Sequence, residues 1–394
     1  MALSALNSRN AVLAALTVAA GLSTSAAMVA ATTMPASASP NITQTVAKHK
    51  KKKPKVNLDV PPKATENISE TGSTLLYPLF QAWASAYHAG YSNITITPQG
   101  TGSGTGIAQA EAGAVEIGAS DAYLSKSVKQ QYPGLLNIAL AISAQQVNYN
   151  IPGLSPNVHL KLTGKVLSAI YRGQITNWDD PQITALNPGV KIPSTNIVAL
   201  HRSDGSGDTF IYTQYLTFSD PSGWGNSINY GTTVAWPGIS NSLGENGNGG
   251  MVTGCAATPG CVAYIGISYL KETQAAHLGE AMLQNKSGNF ELPNPKTIGA
   301  ESAAVINLTP PTENLSLIYD SASSGYPIIN YEYAIVQTKQ RSATVAATVR
   351  AILYWAIDAK HGGSIPYFLD KVGFEPLPPG IAGLSKTQIS HITG

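Results

Sequence analysis

The 394-residue chain predicts an α/β fold, in which helices cover the faces of a parallel or mixed β-sheet. Two observations predict it. Short apolar or alternating runs, which are typical of strands, alternate with helical patterns along most of the chain. At four junctions between a strand and a helix, glycines stand beside hydroxyl or charged side chains. The length is sufficient for two ordinary domains.

Two of these junctions lie near the start of the predicted folded region. Residues 68–76 form a short strand and a Thr-Gly-Ser-Thr turn, and a helix is predicted over residues 77–88. Residues 91–99 alternate as a strand does and enter the glycine-rich turn 100–106, which leads into a helix over residues 107–114. Both junctions therefore place small hydroxyl side chains where a strand ends and a helix begins.

The other two junctions add charged groups. Residues 115–121 form a short strand that ends in Ser-Asp, and the apolar strand 197–200 leads through the polar turn 201–208 into a helix over residues 210–216. A glycine-containing helix N-terminus favours an approaching anion, and Arg202 is a planar bidentate donor, so this segment suits a tetrahedral oxyanion. An ordinary capped helix after a strand explains the segment equally well. Together, the four polar strand ends favour one composite pocket.

Four further elements are predicted from local patterns. Residues 160–171 form a helix, and another helix begins at residues 178–181. Residues 240–250 are rich in Gly, Asn and Ser and predict a long loop. Residues 342–359 form the clearest amphipathic helix, whose apolar face belongs to the core.

Charge and composition narrow the classes of function. Charged residues make up 12% of the chain and the formal net charge is +2, with much of the positive charge in residues 49–55. Without that run the folded part is slightly acidic. The chain therefore lacks the overall basic charge that a nucleic-acid-binding protein uses, and no nucleic-acid partner is expected.

The first 65 residues predict export. Residues 1–38 resemble a cleaved signal peptide, because an Ala/Leu/Val-rich stretch at residues 11–29 precedes an Ala-x-Ala-like site that ends at Ala38. An uncleaved membrane anchor is the alternative, and the Gly, Ser and Thr residues that interrupt the apolar stretch disfavour it. Residues 39–65 predict a disordered basic linker, which either solubilises the protein or touches anionic lipid or wall polymers. The protein is therefore expected to be secreted, at the cell surface or in a periplasm.

The chain contains two cysteines, Cys255 and Cys261, which flank a turn-like Ala-Ala-Thr-Pro-Gly segment. In the oxidising compartment expected after export, they predict a local disulfide. Two thiols without nearby histidines cannot complete a zinc site, and the seven histidines show no metal-ligand spacing. No metal and no cofactor are therefore expected.

The four junctions, in this order, resemble those of the periplasmic or extracellular phosphate-binding protein of the high-affinity phosphate ABC transporter. The matching segments are 70–78 (ETGSTLLYP), 100–106 (GTGSGTG), 115–121 (VEIGASD) and 202–208 (RSDGSGD). Further matches lie at residues 149–153, 171–180 and 260–266. The resemblance covers nearly all of residues 66–375, and it depends on the order of the segments because each one alone is a weak signal.

The resemblance implies a two-lobe, type II periplasmic-binding-protein-like version of the α/β fold, with a ligand cleft between the lobes. Two hinge crossings would join the lobes, near residues 142–146 and 326–330. Lobe I would comprise residues 66–142 and 326–394, and lobe II residues 143–325.

The resemblance also implies which residues contact phosphate. They are Thr74, Leu75, Ser103, Asp121, Arg202, Ser206, Gly207 and Asp208, with Asp204 holding Arg202. Asp121 would accept a hydrogen bond from the proton that phosphate retains and sulfate lacks, although a helix N-cap is its alternative role. Asp208 replaces a threonine of the family. Its side chain is expected to turn away and cap the helix, while its N–H contacts the ligand.

The function implied is that of a monomeric solute-binding protein, which captures inorganic phosphate by lobe closure and delivers it to the permease subunits of an ABC transporter, without catalysis. The alternative is a secreted surface protein of the same fold with lost or altered anion specificity, adhesive or phosphatase-like. A serine hydrolase is disfavoured because neither Ser103 nor Ser206 follows a glycine two residues earlier. A dinucleotide site is disfavoured because the glycines of residues 100–106 do not have the G-x-G-x-x-G spacing.

Overall fold

The computed structural model describes residues 60–394 of the protein. The predicted signal peptide (1–38), the lysine-rich run (49–55) and all but the last six residues of the predicted linker (39–65) lie outside the described residues.

Residues 60–394 form twelve β-strands and twelve α-helices. The strands are β1 Glu66–Gly72, β2 Ile94–Gly100, β3 Ile117–Ser120, β4 Leu135–Asn150, β5 Lys161–Leu162, β6 Val198–Arg202, β7 Ser242–Glu245, β8 Cys261–Gly266, β9 Gly279–Glu280, β10 Met282–Gln284, β11 Phe290–Glu291 and β12 Ile329–Gln337. The helices are α1 Tyr77–Gly90, α2 Ser103–Glu111, α3 Lys126–Gln131, α4 Gly164–Tyr171, α5 Pro181–Thr184, α6 Gly207–Ser219, α7 Gly247–Ala257, α8 Leu270–Ala275, α9 Pro295–Val305, α10 Ala343–Ala356, α11 Pro366–Leu369 and α12 Pro379–Ser390.

The main sheet has the strand order β2-β1-β3-β12-β4-β8-β6-β7, with β9 also paired to β4, and a small sheet has the order β11-β10-β5. Strand β1 runs parallel to β2 and β3, and β6 runs parallel to β7 and β8. Strand β12 is antiparallel to both β3 and β4. The predicted mixed sheet is therefore confirmed, and its two groups of parallel strands lie on either side of β4.

Strand β4 changes partner in its middle. Residues up to Ala144 pair with β12, whereas Gln145 and the residues after it pair with β8. The returning chain passes beside this point, because the Gln145 N–H donates to the carbonyl of Ile328 at 3.0 Å. The hydroxyl of Tyr326 donates to the carbonyl of Gln145 at 2.7 Å. Two adjacent chain crossings therefore join the two parts of the sheet.

The first part of the sheet packs against an aromatic core. Helix α10 begins at the Ser342 cap, whose Oγ accepts the Val345 N–H at 3.1 Å, and its buried face includes Trp355. The Trp355 ring contacts Trp83 and Tyr87 of α1 edge-on. The helices predicted over residues 77–88 and 342–359 are therefore confirmed, and their apolar faces form the core as expected.

The second part of the sheet has its own aromatic core around α6. The rings of Tyr212 and Tyr264 stack at 4.5 Å between centroids, and Trp236 also stacks with Tyr264, at 6.0 Å. The hydroxyl of Tyr171 donates to the carbonyl of Leu200 at 2.7 Å. This core fixes the start of α6 against the end of β6.

Two predicted helices begin at other residues than expected. The helix predicted over residues 160–171 begins only at Gly164, because Thr163 caps it and Leu162 belongs to β5. The helix predicted from residue 107 already begins at Ser103, so its first turn lies within the glycine-rich segment.

The loop predicted over residues 240–250 is wrong. Residues Ser242–Glu245 form β7, which pairs with β6, and α7 begins at Gly247. The left-handed backbone of Gly247 (φ 64°) joins the strand directly to the helix. The pairing with β6 is tertiary, so a local pattern of glycines and asparagines does not reveal it.

The predicted disulfide is confirmed, since Cys255 near the end of α7 is bonded to Cys261 at the start of β8. Within residues 60–394, no helix combines the length and the apolar character that crossing a membrane requires.

A buried carboxyl group makes the stability of the fold depend on pH. Glu313 is fully buried. Its Oε2 accepts the Ala139 N–H of β4 at 3.2 Å, and its Oε1 lies 2.6 Å from the hydroxyl of Ser385 in α12. Burial raises the pKa of Glu313 to about 8. The pKa of Glu313 is therefore higher in the folded state than in the unfolded state, where it is about 4.3. Protonated Glu313 stabilises the fold fully below about pH 4.3, and this stabilisation is lost as the pH rises through 8.

We expect Glu313→Gln to remove part of this pH dependence, because glutamine keeps the shape and hydrogen bonds of the protonated acid. Unfolding by urea should give similar free energies for the variant and the wild type at pH 5 and a more stable variant at pH 9. A difference between the two proteins that stays constant from pH 5 to pH 9 would contradict this assignment.

Candidate functional site

The predicted site residues lie where parallel strands end. Strand β1 leads into Thr74 and Leu75, β2 leads into Ser103, β3 leads into Asp121, and β6 ends at Arg202. Because β1, β2 and β3 are parallel neighbours, their carboxyl ends share one edge of the sheet. The start of α6 faces this edge from the other side of the β4 crossing.

Asp121 is fully buried and hydrogen-bonded to two serines. The hydroxyl of Ser73 donates to its Oδ1, and the hydroxyl of Ser103 lies 3.3 Å from its Oδ2. The backbone N–H of Asp121 donates to Ser103 Oγ at 3.1 Å. The N-cap role considered for Asp121 belongs instead to Ser125, whose Oγ accepts the Val128 N–H at 3.2 Å.

Gly207, the first residue of α6, lies directly against this pair. A Cβ atom placed on Gly207 would be 2.3 Å from Asp121 Oδ2 and 2.4 Å from Ser103 Oγ. Ser206 caps α6, since its Oγ accepts the Thr209 N–H at 3.1 Å. These distances place the start of α6 in van der Waals contact with the ends of β2 and β3, so the two halves of the sheet are closed on each other here.

A second contact closes the same interface. The Gly104 N–H donates to the carbonyl of Gly205 at 2.8 Å. Gly102, which has a left-handed backbone (φ 90°), could not carry a Cβ atom, because that atom would lie 2.4 Å from Asp204 Oδ2. The glycines of residues 100–106 therefore permit close approach of the two halves.

Arg202 is buried and paired on two sides. Its Nε donates to Asp204 Oδ1 at 2.7 Å, and its Nη2 donates to Asp204 Oδ2. Its Nη1 donates to Oδ2 of Asp208 at 2.7 Å. Asp204, which was expected to hold Arg202, forms a bidentate pair with it.

The expectation for the Asp208 side chain is wrong. It neither turns away nor caps α6, which Ser206 does. Its carboxylate is buried and accepts hydrogen bonds from Arg202, from Asn248 Nδ2 at 2.8 Å and from Gln145 Nε2 at 3.1 Å. The physical reason is that Asp204 takes only Nε and Nη2 of the buried guanidinium, so Nη1 still needs a hydrogen-bond acceptor, and Asp208 Oδ2 supplies it.

Thr74 and Leu75 contact the other half of the sheet. The hydroxyl oxygen of Thr74 accepts from Asn248, from its Nδ2 at 2.9 Å and its N–H at 3.2 Å. The carbonyl of Leu75 accepts the hydroxyl of Ser268 at 2.7 Å. The structure thus brings all eight predicted site residues to one interface.

Sequence reasoning missed four residues of this interface: Ser73, Gln145, Asn248 and Glu332. Asn248 lies in the segment assigned to a loop, and its Oδ1 also accepts the Gly266 N–H at 2.8 Å. Ser73 adjoins Thr74 in a hydroxyl-rich turn, which is a signal that could have found it. No local signal marks Gln145 or Glu332, because both lie within long buried strands.

The site contains more carboxyl groups than cations. Burial raises the pKa of Asp121, and burial together with the Asp121 charge raises the pKa of Asp208 to about 7. Burial and the Asp121 charge also raise the pKa of Glu332 well above its usual range. Glu332 Oε1 accepts the Ser143 hydroxyl at 2.5 Å, and its Oε2 has no hydrogen-bond partner among the described residues.

Chemically, the site combines hydroxyl, amide and guanidinium donors with carboxyl groups that hold protons near neutral pH. Such a set suits an anion that also carries protons. In residues 60–394, no group of three or more His, Cys, Asp or Glu side chains is arranged to hold a metal ion.

We expect Gly207→Ala to hold the two halves apart, because its methyl group would overlap Asp121 and Ser103. Small-angle X-ray scattering should then give a larger radius of gyration than for the wild type. Gly249→Ala in α7 is the matched control, since its Cβ would meet nothing within 4 Å. Equal dimensions for all three proteins would show that the contact at Gly207 does not limit closure.

The chain is similar to known proteins over most of its length. The sequence model of the PBP superfamily domain matches residues 19–360. The phosphate-binding protein PstS of Methanocaldococcus jannaschii is 32% identical over 343 residues, covering 82% of this chain and 86% of the relative. The phosphate-binding protein PstS of Haemophilus influenzae is 30% identical over 322 residues, covering 82% of this chain and 92% of the relative.

Solved structures share the fold. The high-affinity periplasmic phosphate-binding protein PfluDING, bound with phosphate, gives a TM-score of 0.63 at 20% identity over 82% of this chain and 92% of that chain. The ancestral soluble variant of the Human Phosphate Binding Protein gives 0.64 at 18% identity over 82% of this chain and 93% of that chain. With the superfamily match, these similarities confirm the predicted two-lobe, type II periplasmic-binding-protein fold.

Proposed function

Because the chain belongs to the PBP superfamily and, within it, to the PstS phosphate-binding proteins, we propose that it captures inorganic phosphate outside the cytoplasm and delivers it to a membrane ABC transporter. The observation that carries this proposal is the convergence of hydroxyls, N–H groups and the Arg202 guanidinium with Asp121 at one interlobe contact.

In the proposed complex the donors come from both lobes. Lobe I supplies the hydroxyls of Thr74 and Ser103 and the N–H of Leu75. Lobe II supplies Arg202 and the start of α6, with the hydroxyl of Ser206 and the N–H groups of Gly207 and Asp208. Charge-assisted hydrogen bonds and the helix N-terminus together compensate the phosphate for the hydration it loses.

Binding is proposed to act by lobe closure. A ligand that bridges donors of both lobes stabilises the closed state relative to the open one. The size of the effect is the difference between the free energies with which the ligand binds the two states. The paired crossings at β4 and just before β12 suit a hinge, because within residues 60–394 the chain passes at these two adjacent points between the two parts of the sheet. We assign lobe I to residues 66–142 and 326–394, and lobe II to residues 143–325.

Asp121 is proposed to select phosphate over sulfate. Its buried carboxylate can accept the proton of a phosphate P–OH group, whereas sulfate offers no proton at neutral pH. A site with a buried acceptor rejects a ligand that lacks the donor, because the acceptor is left unpaired.

The relatives are binding proteins and not enzymes, and the protein is proposed to perform no covalent chemistry. It is proposed to be a monomer that docks on the permease subunits of the transporter, after export directed by the predicted signal peptide. No observation favours the alternative of an adhesive or phosphatase-like surface protein.

We expect Arg202→Ala to weaken phosphate binding by about 3 kcal/mol, roughly a hundredfold in Kd, because a charged donor is lost from a buried site. Isothermal titration calorimetry of the ligand-free protein measures this. Arg341→Ala is the control, since Arg341 is 57% exposed and pairs only at the surface, with Glu66 and Glu116. Unchanged phosphate affinity in a folded Arg202 variant would remove Arg202 from the site.

We expect Asp121→Asn to reduce the ratio of sulfate Kd to phosphate Kd by roughly tenfold or more, because the amide can donate to a sulfate oxygen where the carboxylate repels it. Competitive titration with both anions measures this ratio. Asp179→Asn, at an exposed aspartate, controls for the loss of one negative charge. Selectivity that is the same in the Asp121 variant and the wild type would exclude the proposed role.

A further inference from the structure

The Asp208 carboxylate accepts a hydrogen bond from the Arg202 guanidinium, which a bound anion would also use as a donor. Its Oδ2 accepts from Arg202 Nη1 at 2.7 Å and from Asn248 Nδ2 at 2.8 Å. Its Oδ1 accepts from Gln145 Nε2 at 3.1 Å. The side chain is buried, so the carboxylate is surrounded by protein donors in the way that a bound oxyanion would be.

The surroundings of Asp208 make additional negative charge costly. Asp121, directly after β3, and Glu332 of β12 both interact electrostatically with it, and Arg202 is already paired with Asp204. The other titratable groups that face Asp208 are Tyr264 and Tyr269. Burial raises the pKa of both tyrosines, for Tyr269 to about 12, so they stay neutral. A dianion that enters this site unchanged would face the ionised Asp121 and Asp208 beside a guanidinium whose charge Asp204 already balances.

Resting on the phosphate-binding function proposed above, we propose that Asp208 is a second proton acceptor of the site. In the complex, one phosphate proton is donated to Asp121. A second proton is shared between another phosphate oxygen and the Asp208 carboxyl group. The two aspartates thereby select dihydrogen phosphate, whose two P–OH groups match two carboxylate acceptors.

The proton balance gives the consequence. Above neutral pH, free phosphate is mainly the dianion with one proton, and Asp208 is ionised. Forming the complex then takes up one proton from solvent, so phosphate affinity falls about tenfold for each pH unit above neutrality. The raised pKa of Asp208, about 7, places the start of this fall near neutral pH. Burial raises the pKa of Glu332 well above its usual range, and the Asp208→Asn variant keeps Glu332, so comparing this variant with the wild type isolates the contribution of Asp208.

Calorimetric titration with inorganic phosphate from pH 6 to pH 9 tests the proposal on the full chain. The wild type should lose about tenfold in affinity between pH 8 and pH 9, whereas Asp208→Asn should lose little and should bind more tightly than the wild type at pH 9. Asp208→Thr serves the same comparison if the Asn variant does not fold. Asp179→Asn, the exposed control, should keep the wild-type slope.

A second measurement needs no variant. Titration of the wild type at pH 8.5 in two buffers with different ionisation enthalpies should show an uptake close to one proton per phosphate. An uptake near zero, or an Asp208→Asn variant that retains the wild-type slope, would overturn the role of Asp208 while leaving phosphate binding intact. A wild type that binds no phosphate at any pH would overturn the proposed function, and this inference with it.

Discussion

The burial of Arg202 is the constraint on which the site depends. A guanidinium without water needs counter-charges and hydrogen-bond acceptors, and Asp204 and Asp208 supply them from the following turn and the start of α6. The backbone of Arg202 is fixed as well, since its N–H donates to the Tyr264 hydroxyl at 2.9 Å within the aromatic core of lobe II. The position of the cation therefore determines where α6 begins and which surface lobe II presents to lobe I.

Close approach of the two lobes is the second constraint, and it explains the residue types on both sides. Gly207 meets Asp121 and Ser103 at distances that no side chain could fit, and Gly104 hydrogen-bonds to the Gly205 backbone. With glycines at the contact, backbone groups and short hydroxyl side chains can reach a small ion from two directions. Bulky residues at the same positions would leave a wider cleft whose donors could not converge.

The parts of this arrangement that sequence reasoning could predict are those with a local signature. Glycine and hydroxyl turns after strands marked the segments that contain Thr74 and Ser103, and the resemblance of these segments and of residues 202–208 to a known family supplied the residue roles and the Arg202–Asp204 pair. Asn248 could not be found, because β7, which precedes α7, is defined by its tertiary pairing with β6 and not by a local pattern. The direction of the Asp208 side chain also depends on tertiary structure, since the electrostatic demand of Arg202 outweighs the local preference for capping.

The contacts of Gln145 connect the proton balance of the site to the hinge. Its backbone lies where β4 changes partner and where the returning chain crosses, while its side chain donates to Asp208. A protonated Asp208 is a poorer acceptor than an ionised one, so the strength of this contact follows the charge of the site. Asp208, whose protonation changes the charge that a ligand meets, is thus hydrogen-bonded to β4, the strand about which the lobes close. Ligand charge, proton uptake and closure are therefore coupled through one buried hydrogen-bond network rather than through separate elements.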